Sequence, residues 1–214
     1  MRIVIAEDAA VIRDGLSLLL TTRGHQVAAA VGDATALCAA VAEYGPDVAV
    51  VDVRMPPTHT DEGLRAAIRL RRDHPGLGVL VFSQHIETRY AAQLLAEGSH
   101  GVGYLLKDRV SEVGDFLDTL VRIAAGETVL DPEVVTQIMG ASRRTEALRT
   151  LTARERAVLA MMAEGRSNTA IATALSLSYG SVEKHVTQIF TKLGLPPSQS
   201  DHRRVLAVLR YLES

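Results

Sequence analysis

The sequence is poor in cysteine, in aromatic residues and in long apolar runs. Its 214 residues include one cysteine, Cys38, together with three phenylalanines, five tyrosines and no tryptophan. A single cysteine excludes an internal disulfide and favours a reducing compartment. No apolar run approaches the roughly 20 residues that cross a membrane, and the chain reaches Glu7 and Asp8 too early for a signal peptide. We therefore expect a cytoplasmic protein without membrane contact.

The small net charge of −2 conceals a strong division along the chain. Residues 1–130 carry 12 basic and 17 acidic side chains, whereas residues 149–214 carry 9 basic and 5 acidic ones. An acidic first part followed by a basic segment of domain size predicts an anion-binding module at the carboxyl end.

A short apolar run, Val48–Val51, is the pattern around which the first part of the chain is organised. It is mostly β-branched and has no polar alternation, which is typical of a parallel strand buried on both faces. Asp52 follows it directly, and Pro56 and Pro57 prevent the strand from continuing. An acid at the carboxyl end of such a strand lies where open α/β sheets bind ligands. The alternative at this point is that Asp52 only caps the loop.

Four further apolar segments alternate with helical patterns in the first 125 residues. They lie at residues 2–6, 26–31, 79–82 and 101–106. This alternation predicts a five-stranded, parallel, doubly wound (flavodoxin-like) α/β sheet. The polar residues of interest all follow strands and should share one edge of the sheet: Glu7, Asp8, Asp52, Ser83 and Lys107.

From residue 131 onward the strand pattern disappears. Residues 131–139 favour one short helix, and residues 140–145 are polar and predict a flexible segment. We therefore place the first domain at 1–128, a linker at 129–148 and a second domain at 149–214.

The second domain shows helical patterns only. Thr152 and Glu155 form a capping box before one helix, Ser167 precedes a short second helix, and a longer third helix begins near Tyr179. A last helix covers about residues 199–212. A small, basic, all-α module of four helices, with two joined by a tight turn, predicts helix-turn-helix binding of DNA.

The acidic edge has the composition of a phosphoryl-transfer site. Carboxylates crowded together are unfavourable unless protons or a cation neutralise them, and Mg²⁺ prefers such oxygen ligands. Asp52 can then act as a nucleophile that forms an aspartyl-phosphate. Lys107 supplies a compact positive charge for the phosphoryl oxygens, and Ser83 supplies a hydroxyl donor.

The first domain resembles the receiver domain of bacterial two-component response regulators. The matching segments are VIAED at 4–8, VDVRMP at 51–56, VFS at 81–83 and GYLLKD at 103–108. The resemblance implies that Asp52 accepts a phosphoryl group from a sensor histidine kinase. It also implies that Glu7, Asp8, Asp52 and the backbone carbonyl of Arg54 bind Mg²⁺. Ser83 and Tyr104 correspond to the family's switch pair, in which the hydroxyl turns toward the phosphoryl group and the aromatic ring swings inward.

The second domain resembles the LuxR-type helix-turn-helix of the NarL/FixJ subfamily. The matches lie at residues 151–155, 165–168, 171–172, 181–186 and 192–195. By this resemblance the third helix enters the major groove of double-stranded DNA, and the last helix is similar to the subfamily's dimerisation helix. We expect a homodimer on activation that forms through the receiver, the last helix, or both. The implied DNA-binding residues are Arg166, Ser167, Asn168, Ser181, Glu183, Lys184, His185, Thr187 and Lys192.

Two features depart from the usual receiver pattern. The loop from Met55 to Gly63 is longer than usual, and Gln84 follows Ser83 where a small residue is typical. The loop is either a tolerated surface insertion or an element that alters partner choice and dephosphorylation. Gln84 is expected to narrow access to the acyl phosphate.

The favoured function is a phosphorylation-controlled transcription regulator that is not an enzyme in the sense of turning over a substrate. A regulator of the same fold that works without phosphorylation is the alternative. A haloacid-dehalogenase-like phosphatase, which also uses an Asp nucleophile with Mg²⁺, is disfavoured, because that family carries a second acid two residues after the nucleophile, where Arg54 stands here. A nucleotide-binding oxidoreductase is also disfavoured, since the Gly101–Gly103 pair begins a strand instead of following one.

Overall fold

The computed structural model describes residues 1–84, 86–87, 91–94, 100–108, 112–197 and 202–212, without the side chains of residues 144 and 145. The chain divides into two compact units, residues 1–138 and 139–214.

The first unit is a parallel α/β sheet flanked by helices. Its strands are β1 (Arg2–Ala6), β2 (Gln26–Val31), β3 (Val48–Val51), β4 (Gly78–Ser83), β5 (Val102–Leu106) and β6 (Thr128–Leu130). Its helices are α1 (Ala10–Thr22), α2 (Ala34–Tyr44), α3 (Glu62–Asp73) and α4 (Val113–Ala124). The strand order is β2-β1-β3-β4-β5-β6, and every pairing is parallel. The doubly wound architecture predicted from the sequence is therefore confirmed.

Strand β3 lies inside the sheet between β1 and β4. All four of its residues are buried, because hydrophobic clusters cover both faces of the sheet. Strand order reverses between β1 and β3, since β1 continues outward to β2 while β3 continues to β4. Their carboxyl ends therefore form the crevice where this class of sheet binds ligands.

The sheet contains six strands where the sequence pattern predicted five. Strand β6 pairs with β5 through Val102–Thr128, Gly103–Val129 and Tyr104–Leu130. The pattern missed it because three residues are too few to show a period. It falls at the start of the segment that was predicted to be a linker.

The predicted flexible segment at 140–145 is wrong. Residues Pro132–Arg149 form one helix of 18 residues, α5. Alanine, arginine, glutamate and leucine, which favour helices, are frequent in its second half and outweigh the cost of one internal glycine, Gly140. The helix predicted at about residues 87–97 falls largely outside the described residues, of which 91–94 are helical.

The second unit contains the helices α6 (Ala153–Ala163), α7 (Asn168–Leu175), α8 (Tyr179–Lys192) and α9 (Arg203–Leu212). Thr152, Ser167 and Ser178 cap the first three of these helices with their hydroxyl groups. The core includes Val158, Leu159, Ile171, Val182 and Ile189. The helical periodicity read from the sequence is therefore confirmed for the described part of this unit.

Helices long and apolar enough to span a membrane are absent from the part of the chain that the structure describes.

Candidate functional site

The carboxyl ends of β1 and β3 bring three carboxylates together. Glu7 and Asp8 follow β1, Asp52 follows β3, and one ligand oxygen from each lies within 4.8 Å of the others. Glu7 and Asp52 are buried, whereas Asp8 is half-buried. The grouping predicted from the strand ends is therefore present as a compact cluster of oxygen ligands.

Lys107 extends into this cluster from the end of β5. Its Nζ lies 2.5 Å from Oε2 of Glu7 and 3.4 Å from Oδ1 of Asp52. Its backbone N–H donates to the carbonyl of Ser83 at 2.9 Å, which fixes the lysine beside the end of β4. Burial raises the pKa of Glu7, and the nearby Asp52 adds to this effect, while the hydrogen bond and charge of Lys107 oppose it. The three carboxylates outnumber the ammonium, so the cluster favours an added cation.

Two residues that the sequence analysis did not single out shape the backbone around these acids. Arg13, on α1, donates from Nη1 to the carbonyl oxygens of Glu7 at 2.7 Å and Asp8 at 3.3 Å. Gly63, at the start of α3, allows that helix to approach Asp52 so closely that a Cβ at Gly63 would lie 1.7 Å from the Asp52 carbonyl oxygen. Glycine is a poor helix former, and one in the first turn of a predicted helix was the signal in the sequence that the backbone of another segment comes close at Gly63.

Ser83 is the last residue of β4, Tyr104 lies in the middle of the adjacent strand β5, and both are buried. The Tyr104 ring occupies the inward arrangement, and the backbone N–H of Glu87 donates to its hydroxyl oxygen at 3.4 Å. Burial raises the pKa of Tyr104 to about 12. Nη2 of Arg54 donates to the carboxylate of the same residue, Glu87, at 3.1 Å. The side chain of Arg54 is thereby engaged with Glu87, and its backbone carbonyl remains a predicted cation ligand.

The loop between β3 and α3 folds back onto the acidic cluster. Nδ1 of His59 lies 3.1 Å from Oδ2 of Asp8, and Glu62 is buried and accepts hydrogen bonds from Thr58 and Thr60. The extra residues that the sequence showed here therefore contact one of the predicted metal ligands.

Helix α8 presents a polar face in the second unit. Glu183, Lys184 and Thr187 are exposed, while Val182, Val186 and Ile189 are buried in the domain core. Gln188 is exposed on the same face, one turn after Lys184. The sequence analysis did not propose Gln188, although its spacing from Lys184 would have indicated it.

Most of the other predicted DNA-binding residues have partners within their own domain. Ser167 caps α7, and Ser178 and Ser181 share a hydrogen bond at the start of α8. The guanidinium of Arg204 donates to Oδ1 of Asn168 and to the Arg166 carbonyl. His185 is half-buried. These contacts fix the helix ends that would lie against the phosphate backbone of DNA.

Lys192 occupies a different environment from the rest of that set. Its Nζ lies 2.7 Å from Oε2 of the buried Glu155 and donates to the Thr150 carbonyl at 3.1 Å. Because this ammonium neutralises a buried carboxylate, the geometry favours a role in holding α8 against the start of α6 over a role in contacting DNA.

The fold and both sites define a class of protein. Residues 3–113 match the response regulator receiver domain, and residues 149–200 match the bacterial regulatory proteins of the luxR family. The chain therefore belongs to the response regulators, with a receiver domain followed by a LuxR-type DNA-binding domain. This composition is that of a phosphorylation-controlled, DNA-binding transcription regulator.

Individual relatives extend the similarity over nearly the whole chain. The oxygen regulatory protein NreC of Staphylococcus aureus is 32% identical over 205 residues, which cover 91% of this chain and 92% of NreC. The RcsB response regulator of Salmonella typhimurium has a TM-score of 0.73 at 22% identity and covers 100% of both chains. The response regulator ChrA of a heme-sensing two-component system has a TM-score of 0.52 at 26% identity, covering 99% of this chain and 96% of ChrA.

Proposed function

We propose that Asp52 accepts a phosphoryl group from a sensor histidine kinase and that this event controls how the second domain binds DNA. The observation that carries the proposal is the acidic cluster, because Asp52 lies beside Glu7, Asp8 and Lys107 at the switch point of the sheet. In the transfer, a carboxylate oxygen of Asp52 forms a bond to phosphorus while the bond from phosphorus to the donor breaks.

The donor set fits Mg²⁺. The cluster offers carboxylate oxygens from Glu7, Asp8 and Asp52, and the backbone carbonyl of Arg54 is a further proposed ligand. Hard oxygen ligands with room for water and a phosphate suit this ion. A bound Mg²⁺ would neutralise the charge on the transferring phosphoryl oxygens. The Lys107 ammonium, 3.4 Å from Oδ1 of Asp52, would hold an oxygen of the phosphoryl group.

The proposed output passes through Ser83 and Tyr104. The Ser83 hydroxyl lies at the end of the strand adjacent to β3 and is suited to donate to a phosphoryl oxygen on Asp52. Tyr104 is the neighbouring aromatic on β5, in register with Val81 of β4. New charge at Asp52 would favour the pairing of the Ser83 hydroxyl with the phosphate and would stabilise the inward position that the Tyr104 ring has in this structure.

In the second domain, we propose that the exposed face of α8 enters the major groove. Glu183, Lys184 and Thr187 are the proposed base contacts, and Gln188 joins them because glutamine pairs with adenine through two hydrogen bonds. Arg166, Ser167, Asn168, Ser181 and His185 are proposed to lie near the phosphate backbone. The relative RcsB has been solved as two dimers bound to two parallel DNAs, which supports double-stranded DNA and a second copy of the chain as partners.

Intact mass measurement tests the phosphoryl-transfer proposal. Wild type and Asp52→Asn are incubated with acetyl phosphate and Mg²⁺, and each is weighed before and after. We expect one phosphoryl group on the wild type and none on the variant, because the amide that replaces the Asp52 carboxylate cannot form the acyl phosphate. If neither acetyl phosphate nor phosphoramidate adds mass to the wild type, the regulator works without phosphorylation.

The proposed DNA face is tested through the salt dependence of binding. Lys184→Ala should weaken binding to a fluorescent duplex and reduce the slope of log affinity against log salt by about 1, because one phosphate or base contact is lost. Thr173→Ala, on the exposed surface of α7, serves as the control. Identical affinity and slope for Lys184→Ala and the wild type would remove Lys184 from the interface.

A further inference from the structure

The loop of residues 56–61, hereafter the β3–α3 loop, is anchored by a buried carboxylate. Glu62 accepts hydrogen bonds from the backbone N–H groups of Thr58 at 3.0 Å and Thr60 at 2.9 Å, and also from the Thr58 hydroxyl. Burial alone would raise the pKa of Glu62, but these hydrogen bonds outweigh it and lower the pKa to about 2. The loop therefore closes around a fixed negative charge at neutral pH.

This anchor determines where His59 lies. His59 sits between the two anchored threonines and adopts a left-handed backbone with φ of 52°, a conformation that few residues other than glycine adopt without support from their surroundings. Its Nδ1 reaches to 3.1 Å from Oδ2 of Asp8. The geometry of the loop thus presents an imidazole to the edge of the acidic cluster.

Asp8 is the carboxylate of the cluster that gains most from such a contact. The Asp8 side chain is 29% exposed, compared with 3% for Glu7 and 10% for Asp52. Lys107 contacts Glu7 and Asp52, whereas His59 contacts Asp8. An exposed ligand loses more side-chain freedom when it binds a cation, so a partner that already holds one of its oxygens reduces that cost.

We propose that His59 is a positioning residue for the divalent cation site and acts by holding Asp8. It leaves Oδ1 of Asp8 for the cation while it fixes Oδ2, as neighbours of metal-ligating carboxylates commonly do. The inference rests on the proposed function, since it assumes that Glu7, Asp8 and Asp52 hold Mg²⁺. It gives the long β3–α3 loop a role at the phosphorylation site.

The test is calorimetric titration of the full chain with Mg²⁺, without any phosphoryl donor. His59→Ala should weaken Mg²⁺ binding by about tenfold, the lower end of what loss of a residue supporting a metal ligand costs. His59→Asn should recover most of the affinity, because the asparagine amide nitrogen can take the place of Nδ1. His74→Ala, at the opposite end of α3, should bind as the wild type does.

A second pair of variants separates positioning by the loop from the imidazole itself. Glu62→Gln and Thr58→Val keep the imidazole of His59 but remove hydrogen bonds that shape the loop. Each should weaken Mg²⁺ binding, as His59→Ala does. Thr58→Val provides the measurement if Glu62→Gln fails to fold, since it deletes a hydroxyl group and keeps the carboxylate.

The outcomes distinguish this inference from the proposed function. Mg²⁺ affinity that is unchanged or tighter in His59→Ala overturns the role of His59, even when wild type becomes phosphorylated on Asp52. Weaker Mg²⁺ binding in His59→Ala supports that role, even if acetyl phosphate adds no mass to the wild type. A wild type that binds no Mg²⁺ overturns the inference, and the mass measurement then judges phosphoryl transfer separately.

Discussion

At the scale of single residues, Gly63 imposes the tightest steric condition at the proposed phosphorylation site. Its backbone N–H donates to the Val53 carbonyl at 2.9 Å, and a Cβ would collide with the backbone of Asp52. We expect Gly63→Ala to destabilise the receiver domain by about 1–3 kcal/mol, as overpacking does, because either α3 or the end of β3 must move. Urea denaturation measures the loss, and acetyl phosphate labelling should slow in parallel.

Gly114 supplies the matched control for this substitution. It lies in the first turn of α4, and a Cβ there meets open space. Gly114→Ala should leave stability unchanged or raise it by up to about 1 kcal/mol, because alanine is the better helix former. Equal stability of Gly63→Ala and wild type would show that the approach of α3 to Asp52 is not required.

The residues of the acidic cluster were predictable, whereas the residues that support them were not. Glu7, Asp52 and Lys107 each follow a strand, and parallel strands end at a common edge, so the fold class alone brings these side chains together. The contact of His59 with Asp8 depends on the path of a loop with a left-handed residue. No periodicity encodes such a path, and the same holds for the reach of Arg13 from α1 to the Glu7 carbonyl.

At the scale of helices, the start of α6 depends on an ion pair with the end of α8. Glu155 completes the capping box of α6 and also binds Lys192. Burial alone would raise the pKa of Glu155, but the Lys192 and Thr152 hydrogen bonds outweigh it and lower the pKa below its ordinary value of 4.5. An acid with a lowered folded-state pKa stabilises the fold above its unfolded pKa and loses that contribution as the pH falls through the folded value.

We therefore expect the second domain to lose stability as the pH falls below about 4.5 and Lys192→Met to reduce that loss. The variant should also be less stable at neutral pH by about 2 kcal/mol, below the roughly 3–5 of a fully buried pair because Lys192 is partly exposed. Urea denaturation of the full chain, followed through the methyl signals of Val158 and Leu159, measures both effects. A pH dependence in Lys192→Met equal to that of wild type would contradict the assignment.

The helices also show where reading the sequence fails. Capping residues and apolar periodicity located α6, α7 and α8, because these signals are local. They misjudged the segment after residue 131, where a single glycine and several polar residues looked like a linker. Helix α5 persists through it because propensity summed over 18 residues exceeds the penalty of Gly140, and β6 forms because β5 offers a free edge for pairing.

At the scale of the whole molecule, helix α9 carries exposed apolar residues that are not buried in the core of their own domain. Val205, Leu209 and Leu212 are exposed on α9 at helical spacing. We expect the phosphorylated chain to form a homodimer at tens of micromolar. Leu209→Asp should weaken that dimer, because a charge would be buried in the interface. Sedimentation velocity before and after acetyl phosphate measures the change.

A second variant identifies which surface forms the dimer. Val11, on α1, is the most exposed of the large apolar residues that the structure describes. If Val11→Asp blocks the dimer and Leu209→Asp does not, the receiver domain carries the contact instead of α9. A phosphorylated wild type that remains monomeric would rule out dimerisation as the response to phosphorylation.

The sixth strand, β6, restricts how Tyr104 of β5 can move. With β4 on one side and β6 on the other, β5 is an interior strand, and Tyr104 is paired with Val81 and with Leu130. The Tyr104 carbonyl also accepts a hydrogen bond from the backbone N–H of Asp131 at 2.9 Å. Sliding β5 would break bonds on both flanks, whereas turning the ring about χ1 breaks none of them.

We therefore expect any movement of Tyr104 on phosphorylation to be a rotation about χ1, with the backbone of β5 in place. The same Asp131 accepts a hydrogen bond at Oδ1 from the N–H of Glu133 and at its carbonyl from the N–H of Val135, which begins α5. The first turn of α5 is thus bonded to Asp131, and the backbone N–H of Asp131 is bonded in turn to the interior strand β5 at Tyr104.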